Sequence, residues 1–325
     1  MKTNKTILIT GAAGYIGSVI TEVLLNVGYQ VVAIDDLSTG NIESIDERAQ
    51  FYKNDFGDKE VLSTIFSTYD VSHVIHLAAF ASVPHSIEEP LEYYNNNLSN
   101  TLTLLGKMKD FGIKNIICTS TAAVFGNPQY NPIDENHPTN PISPYGHSKL
   151  MVEQTLKDFN VAYGIDYVIF RYLCVAGASK FHGESRRNET HLIPLLINKV
   201  LGEKTPFFIY GDKFKTKDGT GVRDYFHVLD VANAHVLAIE KMDKVKNNIF
   251  NLGYDKGYSV LEIIHTLESF FNVKINYEIK DPRKGDPSTL VADTTKARKL
   301  LGWKPEYDLT ETLISAYIWQ KNKKY

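Results

Sequence analysis

Thr6-Ile7-Leu8-Ile9-Thr10-Gly11-Ala12-Ala13-Gly14-Tyr15-Ile16-Gly17 is the stretch that decides the fold of this chain. Its first five residues are apolar or β-branched, the composition of a strand buried on both faces. After the three glycines, Val19, Ile20, Val23, Leu24 and Val27 recur at helical spacing and stop at Gly28. Gln30-Val31-Val32-Ala33-Ile34 then reads as a second strand that ends in Asp35 and Asp36. Strand, glycine turn, helix, strand and terminal acid together form a dinucleotide-binding unit. Gly11, Gly14 and Gly17 let backbone amides approach a pyrophosphate that rests on the positive end of the helix dipole. An acid at the end of the second strand accepts hydrogen bonds from the adenosine ribose and repels a 2′-phosphate, which favours NAD over NADP. The spacing is G-x-x-G-x-x-G rather than G-x-G-x-x-G.

Outward from this unit, strands and helices keep alternating. Asp58 is placed to cap a helix running through Tyr69, and Ser72–Ala79 reads as a third buried strand. Two helical stretches follow, the second over residues 97–111, then a strand at Asn115–Ser120, a helix carrying Tyr145 and Lys149, and a strand at Tyr167–Tyr172. Such alternation predicts a parallel doubly wound sheet with ligands at the carboxyl ends of its strands. Asp35, Ala78, Ser120-Thr121 and Cys174 all fall just past such ends, which points to a single site. Beyond residue 176 the rhythm loosens into a polar stretch (179–189), a short helix near 192–201 and the glycine-rich Asp218-Gly219-Thr220-Gly221. A helix at 228–242 and a strand at 248–252 are expected to rejoin the sheet. The predicted division is 1–175 plus 230–253 for the dinucleotide domain and 176–229 plus 254–325 for a smaller lobe over the site.

Tyr145 and Lys149 lie four residues apart at the start of their helix, so phenol and ammonium share one face. A phenol ionises near pH ~10 and is a poor base at neutral pH, whereas a neighbouring cation favours the phenolate. The pair can therefore take a proton from a substrate hydroxyl. Its bland alternative is a solvated helix face, and the dinucleotide unit upstream argues against that. His76 sits inside an apolar strand and is expected to be structural, while His191 is better placed to touch a substrate.

Bulk properties set limits. With 325 residues and a net charge of −3, the chain has ample core and no basic surplus to recruit nucleic acid or acidic membrane. Its two cysteines, Cys118 and Cys174, offer no disulfide framework and suit a reducing cytoplasm. No charged-then-apolar leader precedes Thr6, no apolar run approaches the ~20 residues that span a bilayer, and no metal site is expected.

Further motifs extend the reading: Pro90-Leu91-Glu92-Tyr93-Tyr94-Asn95-Asn96-Asn97, Ser143-Pro144-Tyr145 with Ser148-Lys149-Leu150, Asp218-Gly219-Thr220-Gly221-Val222-Arg223-Asp224-Tyr225, Asn251-Leu252-Gly253 and Arg283-Lys284-Gly285-Asp286-Pro287. On these and the glycine turn, over almost its whole length, the chain resembles the extended short-chain dehydrogenase/reductases, and among them the UDP-sugar 4-epimerases. The resemblance implies a Rossmann-type doubly wound sheet with a smaller mixed α/β lobe for a UDP-sugar. It implies a homodimer through helices near 97–111 and 145–163. It also implies interconversion of UDP-galactose and UDP-glucose through a 4-keto sugar, with NAD staying bound. Tyr145 would take the 4′-hydroxyl proton, Thr121 would hydrogen-bond the same oxygen, and Lys149 would hold the nicotinamide ribose. Cofactor contacts implied are Gly11, Gly14, Tyr15, Ile16, Gly17, Asp35, Asp36, Asp55, Phe56, Leu77, Ala78, Ala79 and Asn96. Arg223 and Arg283 would grip the diphosphate, Asp286 the uridine ribose, and Phe208 and Tyr210 the uracil, with His191, Leu192 and Tyr225 lining the substrate.

Three departures from the family pattern stand out. Leu173-Cys174 replaces the usual Phe-Asn, which weakens one phosphate contact because a thiol is a poorer donor than an amide. Ala81 stands where some relatives carry a lysine. Leu290 replaces a bulky wall residue facing the sugar's 2′ substituent, so N-acetylated sugars are expected to fit; the alternative is that Leu290 only packs the small lobe. A 4,6-dehydratase is disfavoured because Ala122-Ala123 after Thr121 carry no proton to give. A UDP-glucuronate or UDP-pentose 4-epimerase stays open, as does a non-catalytic NAD-binding protein, which the retained Tyr145, Lys149 and Thr121 disfavour.

Overall fold

The computed structural model describes residues 5–283 and 286–325. In chain order the strands are β1 (Thr6–Thr10), β2 (Gln30–Ile34), β3 (Gln50–Tyr52), β4 (Val71–His76), β5 (Asn115–Thr121) and β6 (Asp166–Tyr172). There follow β7 (Cys174–Ala176), β8 (Phe208–Tyr210), β9 (Val222–Arg223), β10 (Tyr225–His227), β11 (Asn248–Leu252), β12 (Tyr258–Ser259), β13 (Glu278–Lys280) and β14 (Thr289–Leu290). Seven of them make one parallel sheet in the order β11-β6-β5-β4-β1-β2-β3. Strand order reverses between β1 and β4, and a crevice opens outside their carboxyl ends at such a switch point.

Both faces of the sheet are covered, which is why its strands read as unbroken apolar runs. Successive residues of β1 serve opposite cores. Ile7 and Ile9 pack with Val19, Ile20 and Leu24 of the helix Tyr15–Asn26 and with Val231 and Ala234 of the helix Val228–Glu240. Leu8 points the other way, to Leu62 and Ile65 of Lys59–Thr68, Leu104 and Leu105 of Asn100–Asp110, and Val152 and Leu156 of Pro144–Tyr163. A third core joins Ile193, Leu196 and Ile197 to Ile263, Ile264 and Leu267 and to Leu309 and Leu313, on three helices outside the sheet. Among the described residues no helix is long and apolar enough to cross a membrane.

Asp58 caps its helix as the sequence predicts, accepting from the amides of Glu60 and Val61. The 228–240 helix covers the sheet and β11 completes its edge, also as predicted. Three expectations change. β3 is an additional strand, so the run at 72–79 is the fourth; it ends at His76, and Leu77–Ala79 leave the sheet as a loop. The second helix after it opens with a π-helical turn, Tyr94–Ser99, before continuing as Asn100–Asp110. Ala297, Leu301 and Trp303, placed with the smaller lobe on sequence, pack into the core beneath the sheet.

Candidate active site

One cleft of about 1330 Å³ runs across the carboxyl ends of the sheet. At one end lies the glycine turn. Gly11 has φ +72°, and a Cβ there would sit 2.7 Å from the backbone nitrogen of Ala78; a Cβ on Gly17 would collide with the carbonyl of Gly11. Both positions therefore require glycine. The helix that follows has Gly14 as N-cap with no side-chain acceptor, so its first-turn amides remain available to an anion. Asp35, just past β2, is fixed by the amides of Ala13 (2.9 Å) and Leu37 (2.8 Å). Burial raises its carboxyl above the usual value, and those two amides pull it back. A side-chain-free cradle, an uncapped helix start and an anchored acid fit a dinucleotide without a 2′-phosphate.

The loop that closes this end is held by a chain of hydrogen bonds. Thr10 Oγ1 lies 2.8 Å from His76 Nδ1, and Thr101 Oγ1 lies 2.9 Å from His76 Nε2. Because Thr101 donates its hydroxyl proton to Asn97 O, it must accept from Nε2–H, which leaves Nδ1 to accept from Thr10. Burial pushes the imidazole down to about 3, so His76 stays neutral and structural. The Asn97 amide continues the chain, accepting from Phe80 N, donating to Phe80 O and reaching Ser148 Oγ at 3.1 Å. Ser148 in turn donates to Tyr145 O, so the loop and the Tyr145 helix are locked together.

Ser143 caps that helix through Gly146 N, with Pro144 in its first turn. This brings the Tyr145 phenol towards the Thr121 side chain at the end of β5, which favours its ionised form. Lys149 follows one turn later, only 3% exposed. Burial raises the Tyr145 phenol above its ordinary value, opposed by the Thr121 side chain and by the charge of Arg186, while burial lowers the Lys149 ammonium. Beneath the pair lies a buried ion pair that sequence reasoning missed. Arg171 grips Glu153 through Nε (2.9 Å) and Nη2 (2.7 Å), and Ser120 Oγ donates to the same carboxylate at 2.5 Å.

The other end of the cleft is cationic and aromatic. Arg223 pairs with Asp286, not with its neighbour Asp224, which is fully buried and accepts from Tyr254 N and Ala292 N. The Arg283 guanidinium lies 4.1 Å from the centre of the Tyr210 ring, and Phe208, Tyr225, His191 and Leu192 also line the cleft. Cys174 lines it between these ends; burial pushes its thiol up to about 11 although Arg223 opposes this, so it is a neutral thiol at physiological pH. Leu290 both lines the cleft and packs with Leu173 against Phe125 and Val124.

All the residues that the sequence proposed thus meet in one cleft, except Asp55. Its carboxylate is turned aside to Asn100 Nδ2 and Gly57 N, and its neighbour Phe56 lines the cleft instead. Lys284 and Gly285 of the distal motif lie outside the described residues. The polar stretch 179–189 supplies a residue no sequence argument singled out, Arg186, held 2.9 Å from His191 Nε2 and 3.7 Å from Glu184.

The family model described as the NAD dependent epimerase/dehydratase family matches residues 7–253. A protein of Lacticaseibacillus casei named UDP-glucose 4-epimerase is 44% identical over 321 residues, 98% of this chain and 97% of its own. The crystal structure of a UDP-glucose 4-epimerase from Bifidobacterium longum in complex with NAD+ and UDP superposes with a TM-score of 0.94 at 38% identity, covering 98% of this chain and 99% of that one. A UDP-Glc/GlcNAc 4-epimerase from Campylobacter jejuni superposes with a TM-score of 0.85 at 36% identity, covering 98% of this chain and 100% of the other.

Proposed function

The chain belongs to the NAD dependent epimerase/dehydratase family, and from that premise we propose that it is an NAD-dependent UDP-sugar 4-epimerase that interconverts UDP-galactose and UDP-glucose. The observation that carries this is the single cleft. It joins a dinucleotide cradle to a pair of arginines, with Tyr145 and Thr121 on the wall between them. Bound NAD supplies the acceptor, and then the donor, of the hydride at C4′.

The chain's own residues do the rest. Tyr145 accepts the proton of the 4′-hydroxyl as its phenolate, and Thr121 beside it orients that oxygen and can relay the proton. Lys149, buried at the base of the pair, holds the nicotinamide ribose. Arg223, steadied by Asp286, and Arg283, stacked on Tyr210, anchor the diphosphate as forked guanidinium groups do. With the nucleotide fixed, the planar 4-keto sugar turns in the cleft and presents its other face, so C4′ inverts without net oxidation. Gly11, Gly14, Tyr15, Ile16, Gly17, Asp35, Asp36, Leu77–Ala79 and Asn96 form the cofactor end of the same cleft.

Leu290 supports a broader sugar range. It is a short wall shared with Leu173, and N-acetylated UDP-sugars fit beside it. Apolar side chains exposed on the helices Asn100–Asp110 and Pro144–Tyr163 (Leu102, Met151, Val161 and Tyr163) support pairing with a second copy there. Cys118 and Cys174 are both free, which suits the cytoplasm. The two-lobe division has its own support in the separate core around Ile193, Ile263 and Leu313.

The deciding experiment incubates the purified protein with UDP-galactose and no added NAD, and looks for UDP-glucose. Product from wild type and near-loss of it in Tyr145→Phe are expected, with cofactor retained in both. An inactive wild type overturns the reading.

A further inference from the structure

The run Pro90-Leu91-Glu92-Tyr93-Tyr94-Asn95-Asn96-Asn97 supplies Asn96 to the cleft and Asn97 to the lock between the loop and the Tyr145 helix. Tyr93, from the same run, does not line the cleft, yet it is 1% exposed and among the largest fully buried side chains. It ends the short helix Pro90–Tyr93, which begins on proline and runs directly into the π-helical turn Tyr94–Ser99. Its ring therefore stands directly behind the wall that carries the base.

The contacts of that ring are specific. Its centre lies 6.4 Å from that of the Tyr145 ring, with the two planes at 76°, an edge-to-face pair. Phe80, which lines the cleft, lies 5.8 Å away, and His85 lies 5.9 Å away. The Tyr93 hydroxyl donates to Ser82 O at 2.8 Å, and Ser82 caps the helix Val83–Glu88 through His85 N. One buried residue thus touches the base and also anchors the loop beside it. Ser143 and Ser148 fix the backbone around Tyr145, but backbone bonds leave a tyrosine ring free to choose among its rotamers. Among the described residues, Tyr93 is the only aromatic ring packed against that of Tyr145.

We propose that Tyr93 is a positioning residue for the epimerisation: its ring, set edge-to-face against that of Tyr145, holds the phenolic oxygen where the 4′-hydroxyl proton is collected. The inference rests on the activity proposed above and adds a residue to it. Tyr93 touches neither sugar nor cofactor and acts through the orientation of the base. A displacement of about 1 Å at a reacting group can cost ~10²-fold in rate, so a packing contact suffices to matter.

The test compares wild type, Tyr93→Phe, Tyr93→Leu and Tyr93→Met, with rates expressed per NAD-loaded site. Phenylalanine keeps the ring and loses the bond to Ser82; leucine and the more adaptable methionine lose the ring. In the two ringless forms kcat for UDP-galactose falls by roughly 10- to 100-fold. KM stays within about twofold, the pattern of an interaction that matters in the transition state alone. Tyr93→Phe restores most of kcat. Ring-labelled tyrosine NMR, with the Tyr145 signal identified by its loss in Tyr145→Phe, reads the packing without turnover. That signal moves in the ringless forms and stays in place in Tyr93→Phe. Ringless forms with wild-type kcat, a change confined to KM, or a Tyr93→Phe as impaired as Tyr93→Leu overturns the assignment. Wild type that turns over no UDP-sugar overturns the activity itself, and the Tyr145 signal then judges the packing separately.

Discussion

Replacing Glu153 by glutamine removes one charge from the ion pair beneath the active site while keeping the side chain's shape. Arg171 is 3% exposed and Glu153 1% exposed, and Arg171 Nη1 already lacks a partner. In Glu153→Gln the guanidinium loses its two charge-assisted bonds and faces an amide that can offer one oxygen. Breaking a buried pair from one side costs about 3–5 kcal/mol, because the remaining charge is uncompensated. For 325 residues, an unfolding entropy of ~2.1 cal/mol/K per residue converts this to a fall in Tm of about 4–7 °C. Calorimetry of the NAD-loaded protein at fixed pH and scan rate measures it. The double variant Glu153→Gln/Arg171→Met removes both charges and should recover most of the loss, since a well-packed apolar substitute is often neutral. A single variant melting within a degree of wild type, or a double variant melting below the single, refutes the reasoning.

Other outcomes follow from the same geometry. Tyr145→Phe lowers kcat by roughly 10²–10⁴-fold with NAD content unchanged; cofactor content is read from absorbance after denaturation. Gly17→Ala puts a methyl group against the Gly11 carbonyl and yields protein purified without cofactor. Leu290→Tyr abolishes turnover of UDP-N-acetylglucosamine and spares UDP-glucose; equal losses on both sugars sink the wall assignment. Asp224 gives a pH signature. Burial raises its carboxyl to about 7, above the usual value, so its contribution to stability is complete below about pH 4 and lost as pH rises through 7. Between pH 5 and 8 the Tm of Asp224→Asn should therefore fall less than that of wild type.

The first forty residues were legible because their signals are local: an apolar run, three glycines, a 3.6-residue period and a terminal acid. The Tyr145 helix was legible for the same reason, with a serine cap and proline in its first turn. What escaped has no local signal. β3, β9, β12 and β14 are two or three residues long, too short for alternation to register. Glu153 and Arg171 are 18 residues apart and meet only because a helix lies over a strand. Arg186 sits in a polar run that composition cannot tell from a solvated loop, and tertiary anchors alone bring it to the cleft. Asp55 is the opposite case, a motif position whose side chain is bonded to Asn100.

β14 pairs with β9 so that Leu290 stands opposite Arg223, and Asp224 N donates to Leu290 O at 3.1 Å. The proposed sugar wall and phosphate grip thus ride on a single rung, and the backbone of neither can shift alone. Widening the sugar chamber by moving the backbone at 290 drags the guanidinium with it, so variants selected for larger sugars through backbone shifts will trade nucleotide affinity for breadth. Side-chain exchange at Leu290 leaves the rung in place and is the route by which such an enzyme can drift between sugars at little cost.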